Sequence, residues 1–194
     1  MRKRTLVGIG LAVLMVALPV SAKRKVQDYS ATIENFKKIP VVAPFFNSAH
    51  AYAVFPSIGK GGLGIGGSHG KGQIYEGGKV TGFTSTSDIS IGLQAGGQAY
   101  AQVIFFENAD ALIRFTGGNF EFEASASAIA VQSSAKASAG TEGSGAGASG
   151  SKTADKATTA ASYQKGMAIF TMAKGGLMYA ATIAGQKYTY KPVE

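Results

Sequence analysis

The clearest alternation of apolar and polar positions runs from Phe120 to Val131. Phe120, Phe122, Ala124, Ala126, Ala128 and Ala130 fall on one side, with Glu121, Glu123, Ser125 and Ser127 on the other. A period of two predicts one continuous strand with a buried and a solvated face. The same logic predicts strands at Val80–Thr86 and Ile89–Ala95, and at the chain end, where Lys187, Thr189 and Lys191 alternate with Tyr188 and Tyr190. Tyr100–Phe106 is apolar on both sides, as a strand between two layers would be. Ala51–Phe55 is a short apolar run that Pro56 is expected to stop, and Gly61–Tyr75 follows as a glycine-rich strand. Met167–Met172 and Leu177–Ile183 complete the set. Glu76-Gly77-Gly78-Lys79 reads as a tight hairpin turn, because Gly-Gly accepts the positive φ that two-residue loops demand.

Helical spacing appears in two places. From Asp28 to Ala49, Ile33, Phe36 and Lys37 follow an i, i+3, i+4 pattern, with Asp28 or Ser30 available to cap the first turn. Pro40 is expected to end this helix and open a shorter one, whose Val41, Val42, Phe45 and Phe46 pack inward. Asn108–Phe115 reads as a second helical segment, capped by Asn108 and ended by Gly117-Gly118. Together these elements predict an α+β fold that is mainly antiparallel. About eight strands form a closed or strongly curled sheet, covered by a few short helices. An echo links Ala53-Val54-Phe55, followed by Lys60-Gly61-Gly62-Leu63, with Ala168-Ile169-Phe170, followed by Lys174-Gly175-Gly176-Leu177. Similar turn chemistry accounts for it without duplication.

Two segments stand outside this pattern. Arg2, Lys3 and Arg4 precede an apolar run from Leu6 to Val20, and Val20-Ser21-Ala22 offers a small-residue cleavage site. Residues 1–22 therefore read as a secretory signal peptide. The run is short of the ~20 residues a membrane-spanning helix needs, although Lys23, Arg24 and Lys25 immediately after it oppose translocation. This predicts a periplasmic or secreted protein with 23–194 as a single domain, able to sit at a membrane. The other segment, 133–162, is dominated by Ala, Ser, Gly and Thr. It has too little apolar surface to offset the entropy of ordering, and reads as a mobile insert.

Composition removes most chemistry. Among 194 residues there is no cysteine and there are only two histidines, so thiol nucleophiles, disulfides and Cys-ligated metals are excluded. No cofactor or metal is expected. The net charge of +8 is concentrated in the leader and Lys23–Lys25, leaving a mildly basic body without the dense stripe of a nucleic-acid binder. Gly59-x-Gly61-x-x-Gly64 matches a dinucleotide fingerprint as a string, but that site needs a helix opening from the glycines. In a stretch this rich in glycine, a chance match is the simpler reading, and no nucleotide is expected. Gly66-Gly67-Ser68-His69-Gly70 matches a nucleophile elbow, which requires a later histidine as base. None follows His69, and His50 precedes it. Glu121 and Glu123, about 7 Å apart on one strand face, read as a solvated face, not a carboxylate pair. The protein is read as a non-enzyme.

The run from Ala51 to Tyr75 resembles the opening block of the SYLF domain, a module of bacterial envelope proteins and of eukaryotic lipid- and actin-associated proteins. Gly92–Gln98, Val103–Phe106, Asn119–Phe122, Lys174–Leu177 and Gly185–Tyr188 are similar to its later blocks, in order. The resemblance implies a binding module for anionic phospholipid or a lipid-like ligand. Lys23–Lys25, with Lys37 and Lys38, then match a basic N-terminal segment, while Lys60, Lys71 and Lys174 stand beside glycines whose backbone N–H groups could help hold phosphate oxygens. The alternative is a structural or interaction protein of the envelope without a lipid ligand. Edge strands offer a second route to a protein partner.

Overall fold

The computed structural model describes residues 24–92, 98–118, 120–122, 127–131, 161–174, 181–182 and 185–193. In chain order they form α1 (Ser30–Lys37), α2 (Ala43–Ser48), β1 (Ala51–Glu76), β2 (Lys79–Gly92), β3 (Gln98–Phe106), α3 (Ala109–Thr116), β4 (Phe120–Glu121), β5 (Ser127–Val131), β6 (Met167–Ala173), β7 (Ala181–Thr182) and β8 (Lys187–Pro192). The strands make one sheet in the order β4-β8-β2-β1-β3-β6-β5-β7. Every pairing is antiparallel except β5 with β6. The fold is the expected α+β type, with the sheet curled into a half-barrel.

Chain connectivity requires the curl. β4 and β5 sit six strand spacings apart in the order, about 29 Å if the sheet were flat. Only five residue steps separate Phe122 from Ser127, and these span at most about 18 Å. The two edges must therefore bend toward each other. The same fact corrects the reading of Phe120–Val131 as one strand. β4 pairs with β8 at one edge, while β5 pairs with β6 and β7 near the other. Ala124 and Ala126, on which that reading partly rested, lie outside the described residues.

β1 organises the sheet. It runs 26 residues, several times the usual five or six. Its first half pairs with β3, from Ala51↔Phe106 to Lys60↔Gln98, and its second half pairs with β2, from Gly64↔Gly92 to Glu76↔Lys79. Pro56 does not stop it. Having no N–H, the proline sits in a register shift between Phe55 and Ile58, where it interrupts the ladder without ending the strand. The two halves then meet on the inner face of the curl. A Cβ on Gly70 would lie 2.6 Å from Ile58 Cγ1, and one on Gly72 would lie 2.7 Å from the Val54 carbonyl oxygen. Glycine is required here because backbone approaches backbone. The hairpin to β2 turns on Gly77 and Gly78 with φ of 55° and 79°, the positive values expected from the sequence for a two-residue turn. β2 is one strand through Lys79–Gly92, not two.

Strand alternation divides the core. On the inner face, Ala53, Phe55, Ile58, Ile74, Ile104, Ile169 and Tyr188 pack under Ala111, Leu112 and Phe115 of α3. On the outer face, Val54, Val103, Phe105 and Phe170 pack under Ile33, Phe36 and Phe45 of α1 and α2. β3 is buried on both sides, as its composition predicts. The echoed segments flank it: Val54 and Phe170 both pair with Val103, and Ala53 and Ile169 both pair with Ile104. Pro44, not Pro40, stands in the first turn of α2. The Asp28 carboxylate accepts the Ser30 N–H at 2.9 Å, but the residue at the N-cap of α1 is Tyr29, which makes no side-chain cap bond. Hydrogen bonding from Ser30 holds the Asp28 carboxyl below its ordinary pKa. α3 is capped as expected, with Asn108 Oδ1 accepting the Ala111 N–H at 3.0 Å. Asn108→Ala is expected to lower stability by about 1 kcal/mol, measured as a lower denaturant midpoint at constant m.

A polar chain is sealed in the inner core. Tyr188 Oη donates to Gln186 Oε1 at 2.6 Å, Gln102 Nε2 donates to Tyr188 Oη at 3.2 Å, and Gln186 Nε2 donates to Tyr100 Oη at 2.7 Å. All four residues are buried. Burial raises the phenols of Tyr100 and Tyr188 above their ordinary pKa, so both act as neutral hydrogen-bonding groups.

Candidate functional site

The register decides which of the expected lysines share an end of the sheet. Lys60 pairs with Gln98 on β3, and the Lys174 N–H donates to the Ala99 carbonyl at 2.9 Å. Both lysines therefore lie at one end of the sheet on either side of β3. Gly59 and Gly61 flank Lys60, with nothing within 4 Å of where a Cβ would stand. Neither lysine has an acidic partner among the described residues. Lys174 is exposed and Lys60 half-buried.

The other three lie elsewhere. Lys37 and Lys38 end α1; Lys37 pairs with Glu34 at 3.2 Å and its ammonium stands 5.8 Å from the centre of the Phe46 ring. Lys71 is on the second half of β1. Gly70 and Gly72 turn inward there, so alternation turns Lys71 outward, and it is exposed. The five lysines therefore do not converge on one pocket.

The outer face around Lys71 holds residues that sequence reasoning did not assign. Lys71 pairs with Ser85 and Ser85 with Thr189, which places exposed Lys187 and Lys191 on the same face two strands away. Ser85 and Thr189 join their hydroxyls at 2.6 Å between them. Glu121 on β4 approaches Lys187 at 3.7 Å, with both side chains largely exposed. The N-terminal arm crosses the same face. Gln73, outward and buried, accepts the Gln27 N–H at 2.8 Å and returns a bond to the Gln27 carbonyl at 2.9 Å. Arg24 and Lys25 are exposed just ahead of this clasp. The Lys-Thr-Lys alternation in β8 was the available signal, but the pairing that sets it beside Lys71 is non-local.

The glycine-rich strings carry no chemistry in this setting. Gly59 to Gly70 lies within β1 and no helix opens there, so its amides do not converge on a pyrophosphate as at a helix start. Ser68 is buried and His69 is exposed, on opposite faces of that strand, so the elbow geometry is absent. His50 is exposed ahead of β1, its N–H bonded to the Phe106 carbonyl. Glu123 lies outside the described residues. Among the described residues no group of three or more metal-ligating side chains forms, and no helix is long and apolar enough to cross a membrane.

A groove of about 620 Å³ opens where the two edges of the sheet approach. Phe120, Phe122, Ile129 and Met167 line it. Its charged groups are Glu107, Asp110 and Glu121 against Arg114 and Lys165, a balance that does not favour an anionic headgroup.

No curated protein matches the chain. A family model described as "Las17-binding protein actin regulator", Ysc84, matches residues 87–190. That span runs from the middle of β2 to β8 and contains β3, α3 and the sheet end that holds Lys174. With more than half of the sequence covered and the curled antiparallel sheet in place, the chain belongs to the Ysc84 (SYLF-domain) family.

Proposed function

We propose that the protein is a non-enzymatic envelope module that binds anionic phospholipid surfaces. The observation that carries this reading is the placement of Lys60 and Lys174 at one end of the sheet, one on each face, next to open glycine backbone. With no acidic partner among the described residues, the two ammonium groups leave that end of the sheet positive. Each basic residue near an anionic membrane contributes about 1 kcal/mol, which gives weak, salt-sensitive attachment. The family description names an actin regulator, but a chain exported behind a cleaved 1–22 leader meets the outer leaflet or envelope and not actin. Loss of that leader and a periplasmic or secreted location are part of the proposal, as is a contribution from Lys37, Lys38 and Lys71.

The chain from Lys23 onward, which holds every described element, is tested by co-sedimentation with phosphatidylcholine vesicles, with and without phosphatidylglycerol or cardiolipin, at low and high salt. Binding is expected only with anionic lipid and is expected to weaken with salt. Lys60→Glu with Lys174→Glu should lower affinity at least about tenfold. Equal recovery with every lipid would assign the protein instead to a structural or interaction role. Unchanged binding by the double variant would remove Lys60 and Lys174 from the site.

A further inference from the structure

We infer that the outer face of β1, β2 and β8 is a flat membrane-docking surface, built from Lys71, Lys187 and Lys191 and extended by Arg24 and Lys25, which the Gln27–Gln73 clasp lays against it. The inference rests on the proposed anionic-lipid reading and names a surface for it distinct from the sheet end at Lys60 and Lys174.

Geometry selects an extended array over a single anion. Lys187 and Lys191 are four residues apart on one strand, about 13 Å, and Lys71 stands two strands away, about 12 Å from each. Side chains rise roughly perpendicular to a sheet. The three ammonium groups therefore remain separated by more than the ~8 Å screening length at physiological ionic strength. They repel one another little, and each meets a different phosphate. Short hydroxyl side chains, Ser85, Ser87 and Thr189, rise between them, with buried Phe83 beside Lys191 and exposed His69 beside Lys71 on the same face. Outer-face area nearby is already occupied: α1 and α2 cover β3 and β6, and the arm covers Gln73. The uncovered remainder carries the lysines.

The arm adds charge because its position is fixed. Gln73 makes a two-way bond with the backbone of Gln27 and also donates to Tyr75 Oη at 3.0 Å. Lys25 is two residues from Gln27, so it lies within about 7 Å of the clasp. Opposing the face is Glu121, whose carboxylate approaches Lys187.

The test uses the chain from Lys23 onward with vesicles containing phosphatidylglycerol. Lys187→Gln with Lys191→Gln is expected to weaken binding about fivefold per lysine. Lys79→Gln, at the hairpin tip away from the face, is expected to change it less than twofold. Glu121→Gln is expected to strengthen binding, a gain that misfolding would not produce. Millimolar inorganic phosphate at constant ionic strength is expected not to compete. If the Lys187/Lys191 variant binds like Lys79→Gln while the wild type still requires anionic lipid, the docking face is wrong and the lipid reading survives. If the wild type ignores lipid charge, the lipid reading fails and this surface with it. Competition by phosphate would replace the bilayer by a soluble anion.

Discussion

Tyr188→Ala is expected to remove about 4 kcal/mol or more of stability, much of what a domain of this size holds. The ring is fully buried among Phe55, Phe115, Phe120 and Phe122, with centroids 5.1–6.3 Å away. Truncation opens a cavity and also strips Gln186 and Gln102 of a partner. Tyr188→Phe separates the two effects, keeping the ring and costing about 1–3 kcal/mol for the unpaired amides. The same phenol sets an alkaline limit. Burial raises its pKa in the native state above the ordinary value of about 10. Below pH 10 its stabilisation is fully present. Above that, the unfolded chain releases the proton while the native chain keeps it, so stability falls as pH rises, by up to about 1.4 kcal/mol per unit. Denaturant midpoints between pH 9 and 11 should fall more steeply for wild type than for Tyr188→Phe. Parallel curves would place the phenol in contact with solvent.

Gly72→Ala is expected to cost about 2–3 kcal/mol, seen as a drop in Tm of roughly 5–10 °C. The added methyl would lie 2.7 Å from both the Val54 carbonyl oxygen and the Phe55 ring. A carbonyl within a paired strand cannot step aside cheaply, so the cost falls on the crossing of the two halves of β1. Gly59→Ala is the matched control. It has open space and a negative φ, so replacing a flexible strand glycine is expected to be neutral or to stabilise by up to about 1 kcal/mol. A Gly72→Ala protein melting with the Gly59→Ala protein would mean that the halves of β1 do not touch.

Local chemistry was readable in the sequence; partnership was not. Asn108 with Gly117-Gly118 marked α3, Gly77-Gly78 marked the hairpin, and the doubly apolar Tyr100–Phe106 marked the central strand, because each signal is complete within a few residues. Phe120–Val131 misled because alternation records which face a residue takes, not which neighbour it pairs with. β4 and β5 share a parity and serve opposite edges. Pro56 misled because a missing donor ends a strand only where the ladder needs that donor, and the register shift at Phe55–Ile58 removes the need. The candidate site divides the same way. Glycines beside Lys60, Lys71 and Lys174 singled those residues out, but the register of β3 sets the first and last at the same end of the sheet on opposite faces, while Lys71 belongs with Lys187 and Lys191 through β2. Nothing local distinguishes Gln73, whose role depends on a residue 46 positions away.

The length of β1 has a consequence for how the molecule comes apart. In many curled sheets a loop at the corner lets one flap peel away while the other persists. Here a single backbone is common to both flaps, and its midpoint is locked where Gly70 meets Ile58. Tearing either flap loose drags on the strand that anchors its counterpart, so the protein lacks a seam along which it could part in stages.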